Sequence, residues 1–180
     1  MSHQSEQLVE EVNHLVSIND WKGVVDHVAP FAIIEPGNHW FQSMTGIGYY
    51  HTQEFEKAFQ HLNAALEINA QCPMGQWLMG NLLRDRDDRQ KAVILWEAVA
   101  SRDPNDEKDR PTCRCCAWQS VGRTLVADSK LMLTVTYDEL GYKELSKRYR
   151  NGYLKAMSDG VKSSIDKDKV REWLVSKQEG

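Results

Sequence analysis

The sequence predicts an all-α protein built as a short array of helix–turn–helix repeats. Three observations carry that expectation: apolar residues recur at helical spacing, a set of small and large residues recurs every 34 positions, and turn-forming clusters separate the segments. Displacing the chain against itself by 34 residues brings Gly46 onto Gly80, Ala58 onto Ala92, Leu62 onto Trp96 and Ala70 onto Pro104. The same step backwards brings Ala58 onto Val24, Leu62 onto Val28, Ala65 onto Phe31 and Ala70 onto Pro36.

In chain order, the period defines units at 5–38, 39–72 and 73–106. The first is degenerate and rests on Val12, Leu15, Trp21, Val24, Val28, Phe31 and Pro36. Pro36-Gly37-Asn38 ends it and caps the next. The second unit is the cleanest, with Gly46, Tyr49, Phe55, Ala58, Leu62 and Ala65. The third opens on Pro73, suited to a first helical turn, and carries Gly80, Leu83, Ala92, Trp96 and Pro104, with Arg89 where the second unit has an aromatic. A mid-helix Gly costs about 1 kcal/mol against Ala, so Gly46 and Gly80 make sense where two helix backbones approach closely.

Residues 107–126 interrupt the period as a polar, Cys-containing connection, with a helix expected to start near Thr112 or Cys113. A degenerate hairpin follows at 127–160. Its first helix, about Arg123–Leu140, carries Leu131, Leu133 and Tyr137, and Gly141 marks the turn. The second helix, with Leu145, Tyr149, Gly152 and Tyr153, fits the period when shifted one residue earlier, which implies a shorter turn. Ser164-Ile-Asp166 caps a last helix at 164–177, whose Val170, Trp173 and Leu174 form one apolar stripe. Terminal repeats need such a cap with a polar outer face.

The 34-residue period and its signature residues resemble the tetratricopeptide repeat (TPR) family. The resemblance implies a right-handed α–α superhelix whose first helices line a concave groove, used to bind a protein or peptide. The groove positions it assigns are Asn13, then Trp40, Ser43, Ile47 and Tyr50, then Met74, Trp77, Asn81 and Arg84. One TPR subgroup clamps the terminal carboxylate of chaperones with Lys, Asn and Arg. The corresponding positions here are Val9, Asn13, Met44, Met74 and Leu78, and only Asn13 matches. Binding would instead rest on apolar anchors. The alternative is that the groove is covered by the chain's own C-terminal helices or by a second copy.

The bulk chemistry agrees with an interaction module. The formal net charge of −4 disfavours a dedicated nucleic-acid binder. It conceals an asymmetry: 15 acidic against 7 basic residues over 1–106, and 6 against 10 over 141–180. That asymmetry suits contact between acidic repeats and a basic C-terminal face, within one chain or head-to-tail in a homo-oligomer. Lys143, Lys147, Arg148, Arg150 and Lys155, interleaved with Tyr142, Tyr149 and Tyr153, are the best nucleic-acid candidates, although tyrosines at this spacing more often serve a core.

Met1–Glu11 has no secretory pattern and no apolar run approaches a membrane span. Cys72 with Cys113, Cys115 and Cys116 is not a spaced disulfide framework, which places the chain in a reducing cytoplasm. Adjacent cysteines do not readily share one zinc ion, and no His follows His61, so no metal is expected. Arg84-Asp-Arg-Asp-Asp-Arg89 lacks the central Gly and final Glu of a calcium loop and reads as a self-neutralising turn. The six histidines have no nucleophile at motif spacing, and Gly46-Ile-Gly48 lies inside an expected helix rather than a phosphate loop. The expectation is a non-enzyme without cofactors.

Overall fold

A computed structural model describes residues 3–109 and 118–175. Among the described residues there are nine α-helices, one 3-10 turn at Glu107–Asp109 and no strand. The helices are α1 (His3–Ser17), α2 (Trp21–Ile34), α3 (His39–His51), α4 (Phe55–Ile68), α5 (Pro73–Asp85), α6 (Arg89–Ala100), α7 (Trp118–Glu139), α8 (Lys143–Ser158) and α9 (Lys167–Val175). The chain forms two compact units whose boundary falls inside α5, between Leu82 and Leu83.

The 34-residue period is written into the backbone. Helices α2, α4 and α6 begin at Trp21, Phe55 and Arg89, and α3 and α5 at His39 and Pro73. The turn before each second helix holds one left-handed residue: Asn19 at φ 58°, Gln53 at 63° and Asp87 at 65°. Each turn is closed by the same bond, from the N–H of Asp20, Glu54 or Asp88 to the carbonyl of Leu15, Tyr49 or Leu83, at 2.9 Å every time. This is the six-to-one bond that satisfies a helix's last free carbonyls.

In the first unit α1 packs on α2, α2 on α3 and α3 on α4. Val24, Val28, Ala58, Leu62 and Ala65 are fully buried. A Cβ on Gly46 would sit 2.8 Å from Leu62 Cγ, so the absent side chain is what lets α3 meet α4. Gly48 does the same towards α2, where a Cβ would lie 2.6 Å from Val25 Cγ2. Phe31 departs from the expected pattern. It is 38% exposed, and its neighbour Ala32 is buried in its place.

In the second unit α6 packs on α7 and α7 on α8. Helix α7 begins at Trp118, earlier than the expected start near Arg123, and takes in the end of the 107–126 connection. Leu125 and Val126, read as part of that connection, are buried core residues. From Leu125 to Tyr137 every residue of α7 but Lys130 is buried.

The α7–α8 turn is not shortened. Gly141 is left-handed at φ 83°, Tyr142 caps α8, and its N–H reaches the Tyr137 carbonyl at 2.8 Å, as in the three earlier turns. Ser146 therefore stands five residues after Gly141, as Ala92 stands after Asp87. It is buried and donates its hydroxyl to the Thr134 carbonyl at 2.9 Å. A small polar residue fills the alanine's place, which an apolar pattern alone cannot reveal.

Helix α9 rests on α7 and α8. Val170, Trp173 and Leu174 pack around buried Ala127, Leu131 and Tyr153, together with Ala156, Met157, Val161 and Ile165. Asp166 caps its start by accepting from the N–H groups of Asp168 and Lys169 at 3.0 and 3.2 Å.

Candidate partner-binding surface

The groove positions divide sharply by accessibility. Ser43, Ile47 and Trp77 are buried, Trp77 at 7% exposure. Trp40, Tyr50, Met74, Asn81 and Arg84 are half-buried, and Asn13 alone is exposed. Helices α3 and α5 are enclosed over most of their length, since Gln42–Gly48 and Gly75–Gly80 are all buried.

Within the first unit, Asn81 donates to the Tyr50 hydroxyl at 3.4 Å, joining α5 to α3. Tyr50 also meets Phe55 edge-on at 5.9 Å. The Trp40 ring contacts Phe41 at 5.6 Å, and Phe41 stacks on Phe31 at 5.3 Å. This aromatic run leads to the last turn of α2, where Ile33 is 77% and Ile34 73% exposed. Phe31, Ile33 and Ile34 with half-buried Trp40 offer a partner accessible area. The sequence reading missed the α2 end because it assigned Phe31 to the core.

Arg84 belongs to the second unit and is already engaged. Its guanidinium bonds to Glu139 Oε1 at 2.8 Å and lies 5.6 Å from the centre of the Trp173 ring. Glu139 also holds Arg89 at 3.2 Å, and Arg89 pairs with Asp87. The charged turn at 84–89 is thus an internal ion network.

Polar residues inside the core form a second layer that periodicity could not show. The buried Gln42 donates from Nε2 to the carbonyls of Ala32 and Pro36 at 2.9 and 3.2 Å. Its Oε1 lies 2.7 Å from His61 Nδ1, which must carry the hydrogen because the amide oxygen can only accept. Burial holds the His61 imidazole below its ordinary pKa. Gln76, 34 residues on, donates to the Ala70 carbonyl at 2.8 Å, the counterpart of Pro36. In the second and third repeats a glutamine thus ties the first helix back to the preceding turn.

In the second unit, Glu97 Oε1 accepts from the hydroxyls of Tyr137 and Tyr149 at 2.8 and 2.9 Å, with the two rings stacked at 5.8 Å. Burial, reinforced by that carboxylate, pushes Tyr149 up to about 12 and raises Tyr137 as well. Of the interleaved tyrosines, Tyr149 and Tyr153 are therefore packing residues, while Tyr142 is 58% exposed. Lys143 pairs with Asp138 at 2.7 Å, while Lys147, Arg148 and Lys155 remain on the surface.

Asp128 is fully buried and accepts from Ser163 Oγ at 2.6 Å and from Ser164 N and Oγ at 2.9 and 2.5 Å. Cys72 is buried, and its Sγ accepts from the Gly75 N–H at 3.3 Å. Cys113, Cys115 and Cys116 lie outside the described residues. Among the described residues no helix is long and apolar enough to cross a membrane, and no three His, Cys, Asp or Glu side chains gather as metal ligands.

The helices and turns define an α-helical repeat protein. Comparison with models of known protein families finds no match, and comparison with curated proteins finds none either.

Proposed function

We propose that this chain is a TPR-like interaction module, an adaptor or chaperone-like scaffold that binds a helix or peptide of a protein partner without chemistry of its own. The carrying observation is the backbone period. Three left-handed turn residues, three N-caps and three identical closing bonds stand 34 residues apart. Arrays of this kind present extended surfaces formed by successive units. The reading takes the array to wind as a right-handed superhelix and the protein to work in the cytoplasm.

The burial of Ser43, Ile47 and Trp77 moves the proposed contact surface to the accessible positions. Asn13, Trp40 and Tyr50 remain, extended by Phe31, Ile33 and Ile34. The test is a peptide selected against the whole chain. Trp40→Ala or Ile34→Asp should weaken its capture about tenfold or more at unchanged melting temperature, the loss of a central anchor. Undiminished capture by both variants would remove this surface.

A second reading, in which the chain's own C-terminal helix occupies part of the repeat face, is favoured by one observation. Trp173 of α9 lies against Arg84, one of the nine groove positions.

A further inference from the structure

The first-unit surface has a charge character that its apolar residues do not reveal. Over residues 3–82 the sequence has nine carboxylates, two lysines and no arginine. Both lysines are already paired with near neighbours: Lys22 with Asp26 and Lys57 with Glu54, each at 2.6 Å. Between Lys22 and Arg84, Lys57 is the only lysine or arginine. The stretch that builds the apolar surface, from the middle of α2 into α3, therefore contains neither.

Carboxylates and apolar side chains are set side by side. Along α2, Asp26, Pro30 and Ile33 follow one another at i, i+4 and i+7, and all three are exposed. Ile34 and Glu35 come next, both exposed. Pro30 has no N–H, so α2 leaves the Asp26 carbonyl without its usual i+4 donor. Helix α1, which packs on α2, exposes Glu6, Glu10 and Glu11. The bond between Gln42 and His61 sets the start of α3 beside the last two turns of α4, where Glu67 and Ile68 are exposed. Asn38 and Asn63 donate to Glu35 and Glu67 at 3.2 and 2.7 Å, which orients those carboxylates without neutralising them.

An apolar cluster in a negative field selects its partner by sign. Nucleic acid and anionic lipid are repelled, and an acidic peptide loses through charge what it gains through burial. A segment that combines apolar side chains with lysine or arginine gains through both. Resting on the surface proposed above and adding the chemistry of its occupant, we propose that this surface takes a basic amphipathic segment of a partner protein. Its apolar side chains cover Phe31, Ile33, Ile34 and Trp40, and its lysines or arginines meet Asp26 and Glu35. The attraction acts through solvent over a Debye length of about 8 Å at physiological salt. It sets the preferred sign and the encounter rate, while the apolar residues set the seat.

The test uses three short dye-labelled amphipathic peptides, titrated into the full chain by anisotropy. All carry leucine at i, i+3, i+4 and i+7, and their polar positions are lysine, glutamine or glutamate. At low salt the lysine peptide should bind about tenfold or more tightly than the glutamate peptide, with the glutamine peptide between them. At about 1 M salt, where the Debye length is about 3 Å, most of that spread should vanish. Ile33→Ser/Ile34→Ser, at two positions 77% and 73% exposed, should weaken the lysine and glutamine peptides alike. Glu35→Lys should weaken the lysine peptide about threefold or more and strengthen the glutamate peptide. Equal affinity of all three peptides overturns the proposal, and leaves the apolar surface standing where the isoleucine variant weakens them all. A lysine peptide indifferent to both variants binds elsewhere and overturns it too. So does a chain that sediments as a dimer and is split by the lysine peptide, since the occupant is then a second copy. Failure of all three peptides to bind defeats the proposal, while capture of the selected peptide decides the surface itself.

Discussion

A methyl group at Gly46 would meet Leu62 Cγ at 2.8 Å and the Leu62 backbone nitrogen at 3.0 Å, and backbone cannot step aside as a side-chain tip can. Gly46→Ala should therefore destabilise by about 1–2 kcal/mol, overpacking outweighing the helix propensity gained. Urea denaturation checks this, with Gly37→Ala as control because its Cβ would meet nothing within 4 Å. The titratable groups give two further outcomes. His61 has a folded pKa lowered by burial, so its contribution is present above the ordinary value of about 6.5 and is lost as pH falls from there through the lowered folded value. Melting temperature should drop on acidification from pH 7, and less so in His61→Gln.

Tyr137, Tyr149 and Tyr153 have raised values, so their contribution holds below about 10 and is lost as pH rises, for Tyr149 towards about 12. Ultraviolet titration should show Tyr137, Tyr149 and Tyr153 ionising late, with Glu97→Gln advancing Tyr137 and Tyr149 part of the way. The small residues at Gly46 and Ala58 were legible in the sequence because packing demands their size. Gln42, Gln76 and Asp128 were not. A polar residue in a core is justified only by its partners, and those come from elsewhere in the chain.

At the scale of the element, the helical hairpin is the repeating object and its turn the most conserved geometry within this chain. The left-handed position is filled by Asn19, Gln53, Asp87 and Gly141. Asn and Gly tolerate that backbone, whereas Gln carries a steric cost of about 1–2 kcal/mol relative to glycine. Gln53→Gly should raise the urea midpoint, by up to about 1 kcal/mol once the greater freedom of the unfolded chain is counted, and Gln53→Val should lower it. The hairpin at 127–160 shows where sequence reading runs out. Gly141 announced its turn, but Ser146 concealed its register, because a serine gives no apolar signal until its hydroxyl is seen to reach the Thr134 carbonyl. Likewise Phe31 matched the period yet lies half outside, the buried place having passed to Ala32.

Across the whole molecule, the ends differ from the middle. Among its described side chains, helix α1 has one fully buried, Val12, while Leu8, Val9, Leu15 and Val16 are partly exposed. Native-state hydrogen exchange should find α1 opening at a far lower free energy than α3 and α4, since protection follows burial. The 34-residue recurrence of the first three hairpins was readable in the sequence because repetition amplifies a weak signal. Which faces remain accessible was not, because exposure depends on everything packed against a residue rather than on its own type.

The recurrence of the glutamine tie bears on how such a chain can be lengthened. Gln42 reaches the carbonyl of Pro36, and Gln76 that of Ala70, so at each seam the donor belongs to the downstream unit and the acceptor to the upstream one. A duplicate of residues 39–72 spliced in after Cys72 would bring both halves of the joint with it: a glutamine for the seam it enters and a carbonyl for the seam it creates. The seam behaves as a standard coupling, and the molecule carries its own grammar for growth by whole units.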